Sequence, residues 1–130
     1  CVTESDACGV DAVQAILGCT MGKGNLIYYG TGKMAFNFYN RKSGGSFRLI
    51  AKPKKEGGKK GKAYIDYVLN GPLEEIFTVT ETRYKLPEEA RSLNTVICEL
   101  CGEGAPETKM RLQDGKKVCL ECFRDYSRGW

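Results

Sequence analysis

Four cysteines in two close pairs constrain the fold of this 130-residue chain more than any other feature. Cys98 and Cys101 form the first C-x2-C pair, and Cys119 and Cys122 form the second pair after seventeen intervening residues. The two residues between the cysteines of each pair allow a tight turn that aims both sulfurs at one point. Two such turns together complete a tetrahedral zinc site. The alternatives are two disulfides or four free thiols, but the total of seven cysteines is odd and no secretion signal is visible. The pattern therefore predicts a closed, structural four-thiolate zinc site.

The residues around the two pairs predict a small treble-clef zinc finger over residues 93–130. Asp114-Gly115 is a strong signal for a hairpin turn between the pairs, and Gly102 suits a positive φ just after the first pair. Residues 123–128 are predicted to form a helix, which would place the second pair near a helix N-terminus, where the dipole favours thiolate. So short a segment is not expected to fold without its metal.

The chain contains no histidine, and this excludes several classes of enzyme. A serine triad, a cysteine–histidine protease pair, a His-ligated catalytic zinc and a two-His iron site cannot be built from this chain alone. The net charge of +4 and the 42% hydrophobic content are typical of a globular protein. No apolar stretch approaches the roughly 18 residues of a membrane span, so we expect a cytoplasmic protein without membrane contact.

Residues 1–92 are predicted to form a separate α+β domain. Apolar spacing predicts a helix over 6–17 that ends at Gly18. Gly30 and Gly32 are predicted to make a hairpin between the first two strands. The predicted strands are 26–29, 34–39, 47–51 and 77–84, and a further helix is predicted over 63–69.

A lysine-rich run covers residues 52–62 and holds six lysines against one glutamate. Such a run could contact nucleic acid or an acidic partner. Because no aromatic or arginine side chains interleave with the lysines, a solvated loop is favoured and nucleic-acid binding is not expected.

A second candidate site lies on the first predicted helix. Cys8 and Asp11 are three residues apart and therefore share one helical face. Cys19 would lie about 16 Å further along a continuous helix, so Cys8 and Cys19 cannot bind one metal as a simple pair. The residues themselves favour a different interpretation, in which both cysteines are small buried hydrophobes.

The block from Glu4 to Leu26, which includes Cys8 and Asp11, resembles the E-subunit family of formylmethanofuran dehydrogenase. Other similar blocks are Phe36-x-Phe38-Tyr39-x-Arg41, Asn70-Gly71-Pro72 with Phe77, and Leu86 to Arg91.

This resemblance implies a thioredoxin-like α+β core with a mixed sheet flanked by helices, to which some members add a C-terminal treble clef. It also implies a metal-binding accessory protein from an anaerobe, associated with the molybdenum or tungsten enzyme that reduces CO2 onto methanofuran in methanogenesis. The partners implied are other subunits of that enzyme, which carry the chemistry. Two alternatives stay open: a thiol- or metal-dependent enzyme or redox protein that uses Cys8, and a zinc-finger protein that binds nucleic acid.

The resemblance also implies a core metal site that uses His and Cys from an N-terminal segment. Because the chain begins at Cys1 rather than a methionine, we expect that this segment is missing. Cys8 and Asp11 carry over as candidate catalytic residues, but they supply only two of the four ligands that zinc usually takes. We therefore expect the core site to be empty or to hold a weakly bound ion. We also expect the missing segment to expose apolar surface and favour a homodimer.

Overall fold

A computed structural model of the chain describes residues 1–53 and 58–128. It contains two compact units, which we call the core unit (Cys1–Ala90) and the finger unit (Arg91–Trp130). Residues 54–57 of the predicted lysine-rich loop lie outside the described residues. Within the described ranges, no helix is long and apolar enough to cross a membrane.

The described part of the core unit is a five-stranded sheet with three helices. In chain order the elements are β1 (Val2–Thr3), α1 (Gly9–Leu17), β2 (Ile27–Tyr28), β3 (Ala35–Tyr39), β4 (Ser46–Ala51), α2 (Gly61–Asn70), α3 (Leu73–Ile76) and β5 (Phe77–Thr80). The strand order is β2-β1-β3-β4-β5, in which β1 and β2 are parallel and all other neighbours are antiparallel. The predicted α+β class and mixed sheet are therefore confirmed.

The helix α1 packs on one face of this sheet. The central apolar contacts join buried Val13 to Leu26 and Phe36, and Cys1 and Cys19 are among the half-buried side chains around them. Gly9 permits a close approach to the sheet, because a Cβ at this position would lie 2.7 Å from the Phe36 ring. The sequence thus places its smallest residue where the helix begins above the sheet.

Several element boundaries in the core unit differ from the predictions. The helix predicted over 6–17 begins only at Gly9, because the Ser5 hydroxyl accepts a hydrogen bond from the Ala7 amide (3.1 Å) in a turn that precedes it. That helix ends as predicted at Gly18, whose φ is 63°. The predicted hairpin at Gly30 and Gly32 is wrong, because β1 lies between β2 and β3. The strand predicted over 77–84 ends at Thr80.

The described part of the finger unit consists of two small antiparallel hairpins. Its strands are β6 (Thr95–Ile97), β7 (Gly104–Pro106), β8 (Met110–Gln113) and β9 (Lys116–Cys119), with a 3₁₀ turn at Glu107–Lys109. Asp114 and Gly115 both have positive φ, 50° and 76°, so the predicted hairpin turn is confirmed.

The prediction of a helix over residues 123–128 is wrong, because these residues adopt no regular structure. One helical turn closes, where the Phe123 amide donates to the Cys119 carbonyl at 2.9 Å. The next amide, of Arg124, instead donates to the side-chain oxygen of Gln113 at 2.9 Å. The Arg124 guanidinium also donates to the Glu121 carbonyl (2.9 Å), so the groups that would extend the helix are bound elsewhere. The second cysteine pair therefore does not begin a helix.

Candidate metal centre

The structure brings the four finger cysteines together around one point. The sulfur atoms of Cys98, Cys101, Cys119 and Cys122 all lie within 4.8 Å of one another. The Cys101 and Cys119 sulfurs are 3.9 Å apart. A tetrahedral site with zinc–sulfur bonds of about 2.3 Å has sulfur–sulfur edges of about 3.8 Å, so the donor set fits zinc.

Backbone geometry on both sides of the centre aims these sulfurs inward. The first pair lies in a knuckle after β6, closed by a hydrogen bond from the Gly102 amide to the Cys98 carbonyl (2.9 Å). Gly102 has a φ of 78°, as its position in the sequence predicted. The Cys119 amide at the end of β9 donates to the Cys98 sulfur at 3.4 Å. The knuckle and the hairpin thus approach each other at Cys98, which is only 1% exposed and is the most deeply buried of the four cysteines.

A reciprocal pair of hydrogen bonds holds the knuckle against the hairpin. The Lys117 amide donates to the Glu99 carboxylate at 2.7 Å, and the Glu99 amide donates to the Lys117 carbonyl at 2.9 Å. Because both bonds lie beside the cysteine pairs, they help to fix the separation of the two pairs.

When no metal is bound, the surroundings shift the pKa values of Cys98 and Cys122 in opposite directions. Backbone N–H groups, those of Cys101 and Cys119 first, lower the pKa of Cys98 to about 6. The neighbouring thiols of Cys119 and Cys101 raise the pKa of Cys122 to about 12. Four thiolates cannot gather in so small a volume unless a cation offsets their charge, which is what a divalent metal supplies. A closed set of four sulfurs leaves no position for a substrate, which is typical of structural rather than catalytic zinc sites.

Cys8 and Asp11 lie at the start of α1. Both side chains are exposed, and the Asp11 amide donates to the Cys8 carbonyl at 3.1 Å. The expectation that Cys8 is buried is therefore wrong, whereas Cys19 is half-buried against the core. Within residues 1–53 and 58–128, no second group of three or more cysteines or carboxylates converges as the finger cysteines do. Among the described residues, no third cysteine or carboxylate converges with Cys8 and Asp11.

The core unit contains a buried ion pair that the sequence did not reveal. Glu4 is 0% exposed and Arg48 is 2% exposed. The guanidinium donates to both carboxylate oxygens, from Nε at 2.6 Å and from Nη2 at 2.9 Å. Asn37 (3.0 Å) and Thr31 (3.2 Å) donate two further hydrogen bonds to the same carboxylate. The one available signal was a lone charge within the otherwise apolar strand Phe47–Ala51.

The fold and the centre define a metal-binding α+β protein with a C-terminal four-cysteine finger. The sequence model of the family described as FmdE, molybdenum formylmethanofuran dehydrogenase operon, matches residues 1–78. This match covers more than half of the chain, so the chain belongs to this family, and the resemblance identified from its sequence is confirmed. A second family model, the prokaryotic dksA/traR C4-type zinc finger, matches residues 91–128.

Two individual proteins resemble the chain over most of its length. A crystal structure of a tungsten formylmethanofuran dehydrogenase FmdE-like protein from Syntrophus aciditrophicus has a TM-score of 0.61 and 24% sequence identity. That likeness covers 93% of this chain and 68% of the other, and it shows a shared fold. A protein from Archaeoglobus fulgidus described as a probable S-adenosyl-L-methionine-binding protein is 25% identical over 96% of this chain. The chain spans 40% of the length of that relative.

Proposed function

We propose that this chain is a zinc-containing accessory protein of the FmdE type, which acts with formylmethanofuran dehydrogenase. Its role would be in molybdenum- or tungsten-dependent CO2 reduction, of the kind that begins methanogenesis in anaerobes. The observation that carries this proposal is the convergence of four cysteine sulfurs in a chain of the FmdE family. Reduction of CO2 belongs to the other subunits of the enzyme, and this chain supplies a folded core and a metal-stabilised finger.

Within this proposal the finger is a docking element. Zinc held by the four thiolates fixes the knuckle and the hairpin. The finer fold assignments in this proposal are a thioredoxin-like core unit and a treble-clef finger unit that lacks the C-terminal helix over residues 123–128. Several large apolar side chains of the finger lie on its surface, as expected for a unit that meets a partner. These exposed residues are Ile97, Leu100, Leu112 and Leu120.

Direct binding to the isolated enzyme tests the proposal. Purified molybdenum- or tungsten-type formylmethanofuran dehydrogenase should bind the immobilised, zinc-loaded chain with a Kd of about 10 μM or tighter. Cys119→Ser should abolish this binding, because the docking finger loses a zinc ligand. Cys8→Ser is the matched control and should bind as the unmodified chain does. Absence of binding by the zinc-loaded chain at about 100 μM would contradict the proposed partner.

A thiol-dependent enzyme is the second candidate function. It is favoured by the exposed Cys8, which directly precedes α1 with the Asp11 carboxylate in the first turn. If Asp11 orients the Cys8 sulfur for attack on a substrate, Asp11→Asn should slow alkylation of Cys8 by iodoacetamide about fivefold at neutral pH. Mass spectrometry of the Cys8 peptide measures the rate. Asp6→Asn, a charge-matched change at an exposed residue, should leave it unchanged, and equal rates in all three proteins would exclude Asp11 from this role.

A further inference from the structure

Residues 81–90 return across the core unit after β5 without forming a helix or strand. We call this segment the strap. The ring of Tyr84 lies against that of Tyr29, just beyond β2, with centroids 4.6 Å apart. The strap therefore reaches from the β5 edge of the sheet to the side of β2, and its last residue, Ala90, directly precedes the finger unit.

Three side chains at alternate positions, 37, 39 and 41, hold the strap by its backbone. The bonds run from the Arg83 amide to Asn37 Oδ1 (3.1 Å), from the Tyr39 hydroxyl to the Tyr84 carbonyl (2.8 Å), and from Arg41 Nη2 to the Pro87 carbonyl (2.7 Å). Asn37 and Tyr39 are alternate residues of β3 and share one face, and Arg41 extends this row of anchors from the turn that follows the strand. The strap is thus fixed as a continuous piece of main chain.

The buried ion pair adjoins this row of anchors. Asn37 bonds to the strap through its oxygen and to the Glu4 carboxylate through its nitrogen (3.0 Å). Burial and the charge of the Glu4 carboxylate raise the pKa of Tyr84, so this strap residue lies within electrostatic range of the pair. The strap therefore helps to keep water from Glu4 and Arg48.

Apart from these hydrogen bonds, the strap has no fully buried side chain to stabilise it. Each of its ten residues is exposed or half-buried, whereas the two charges near it are almost completely buried. Segments with few buried apolar contacts and a small number of hydrogen bonds open well below the free energy of global unfolding.

We propose that the strap is a releasable cover that opens as a unit while the sheet stays folded. Opening hydrates the Glu4–Arg48 pair and turns residues 81–90 into a free tether up to about 33 Å long between the sheet and the finger unit. With the strap closed, the chain that leads to the finger unit is held to the core unit up to residue 90; with the strap open, this chain is free from residue 81 onward. The opening itself does not depend on which partner the finger binds.

A glycine comparison tests whether the strap moves as one piece. Gly24 and Gly32 have similar positive φ values, 67° and 73°, so alanine strains the backbone equally at both positions. A Cβ at residue 24 would overlap the Ala90 side chain, whereas a Cβ at residue 32 meets no atom of the described chain within 4 Å. Gly24→Ala should therefore displace Ala90, the last residue of the strap, and Gly32→Ala is its matched control.

The measurement is NMR hydrogen exchange at the Arg83 amide, which lies seven residues before the displaced Ala90. In the unmodified chain this amide should exchange faster than the β3–β4 ladder amides, and Gly24→Ala should accelerate it about tenfold relative to Gly32→Ala. The ladder amides should respond equally to both changes. Equal Arg83 rates in the two variants, or an Arg83 amide as protected as the ladder in the unmodified chain, would overturn the proposal.

A tyrosine pair provides an independent second test that avoids glycine strain. Tyr39→Phe removes the hydroxyl that holds the Tyr84 carbonyl and should accelerate exchange at Arg83 about fivefold. Tyr28→Phe removes an exposed hydroxyl from the adjacent region and should leave the rate unchanged. If Tyr39→Phe accelerated Arg83 and the β3–β4 ladder by the same factor, the strap would open only with the sheet, and the proposal would fail.

Discussion

Replacing Cys119 with serine is expected to unfold the finger unit and leave the core unit folded. Among the described residues of the finger, the buried apolar side chains are those of Cys98 and Val118, too few to stabilise a unit of this size. Structural zinc sites contribute about 10–16 kcal/mol of apparent folding free energy in small fingers. Without the fourth ligand most of that contribution is lost, whereas the core has its own buried residues.

Metal content and residue-resolved NMR measure this outcome. The unmodified chain should retain about one zinc per molecule, and chelation should reproduce the effect of Cys119→Ser. In the variant, amide signals of residues 91–128 should collapse to random-coil shifts while those of β3 and β4 keep their positions. Cys8→Ser, which removes an exposed cysteine outside the cluster, should keep the zinc and all signals. A Cys119→Ser protein that retains zinc and a dispersed finger spectrum would contradict the assignment, and collapse of both units would show that they fold together.

The four-cysteine centre could be predicted from the sequence because the residues that form it are close together along the chain. Each C-x2-C pair fixes two sulfurs within one turn, and Asp114-Gly115 fixes the hairpin that brings the second pair back to the first. The incorrectly predicted helix after Cys122 shows where local information ends. Gln113 lies eleven residues before Arg124, yet its side chain takes the amide that would have continued the helix. Propensity alone does not register such a competitor.

The buried charges of the core could not be predicted, because their pairing depends on topology. Glu4 and Arg48 are 44 residues apart and meet because the two-residue strand β1 inserts beside β3. So short a strand carries no detectable periodicity. Its insertion also explains why the predicted hairpin at Gly30 and Gly32 failed. The main strands and α1 were accessible to pattern analysis since each is long enough to show a period.

Glu4→Gln is expected to destabilise the core unit by about 3–5 kcal/mol, because it leaves the Arg48 guanidinium buried without its counter-charge. The wild-type pair should also make stability depend on pH. The hydrogen bonds from Arg48, and after them that from Asn37, hold the pKa of Glu4 at about 2 despite the opposing effect of burial, well below its ordinary 4.5. A lowered pKa in the folded state means that the unfolded chain binds the proton more readily. The contribution is therefore complete above pH 4.5 and is lost as the pH falls towards 2.

Urea unfolding followed by near-UV circular dichroism of the tyrosines measures both effects. The substitutions are compared in the zinc-loaded chain at neutral pH. Because acid releases zinc from thiolates, the pH series uses the Cys119→Ser chain, in which the finger unit is already unfolded. Glu81→Gln removes the same charge from an exposed position and should change the free energy of unfolding by less than about 0.5 kcal/mol. The double replacement Glu4→Leu with Arg48→Met should recover much of the loss, because apolar side chains of similar volume leave no charge unpaired. A Glu4→Gln protein within about 1 kcal/mol of the unmodified chain would show that water reaches the pair. In that case the strap would not seal it, and the low pKa of Glu4 would no longer stabilise the fold near pH 4.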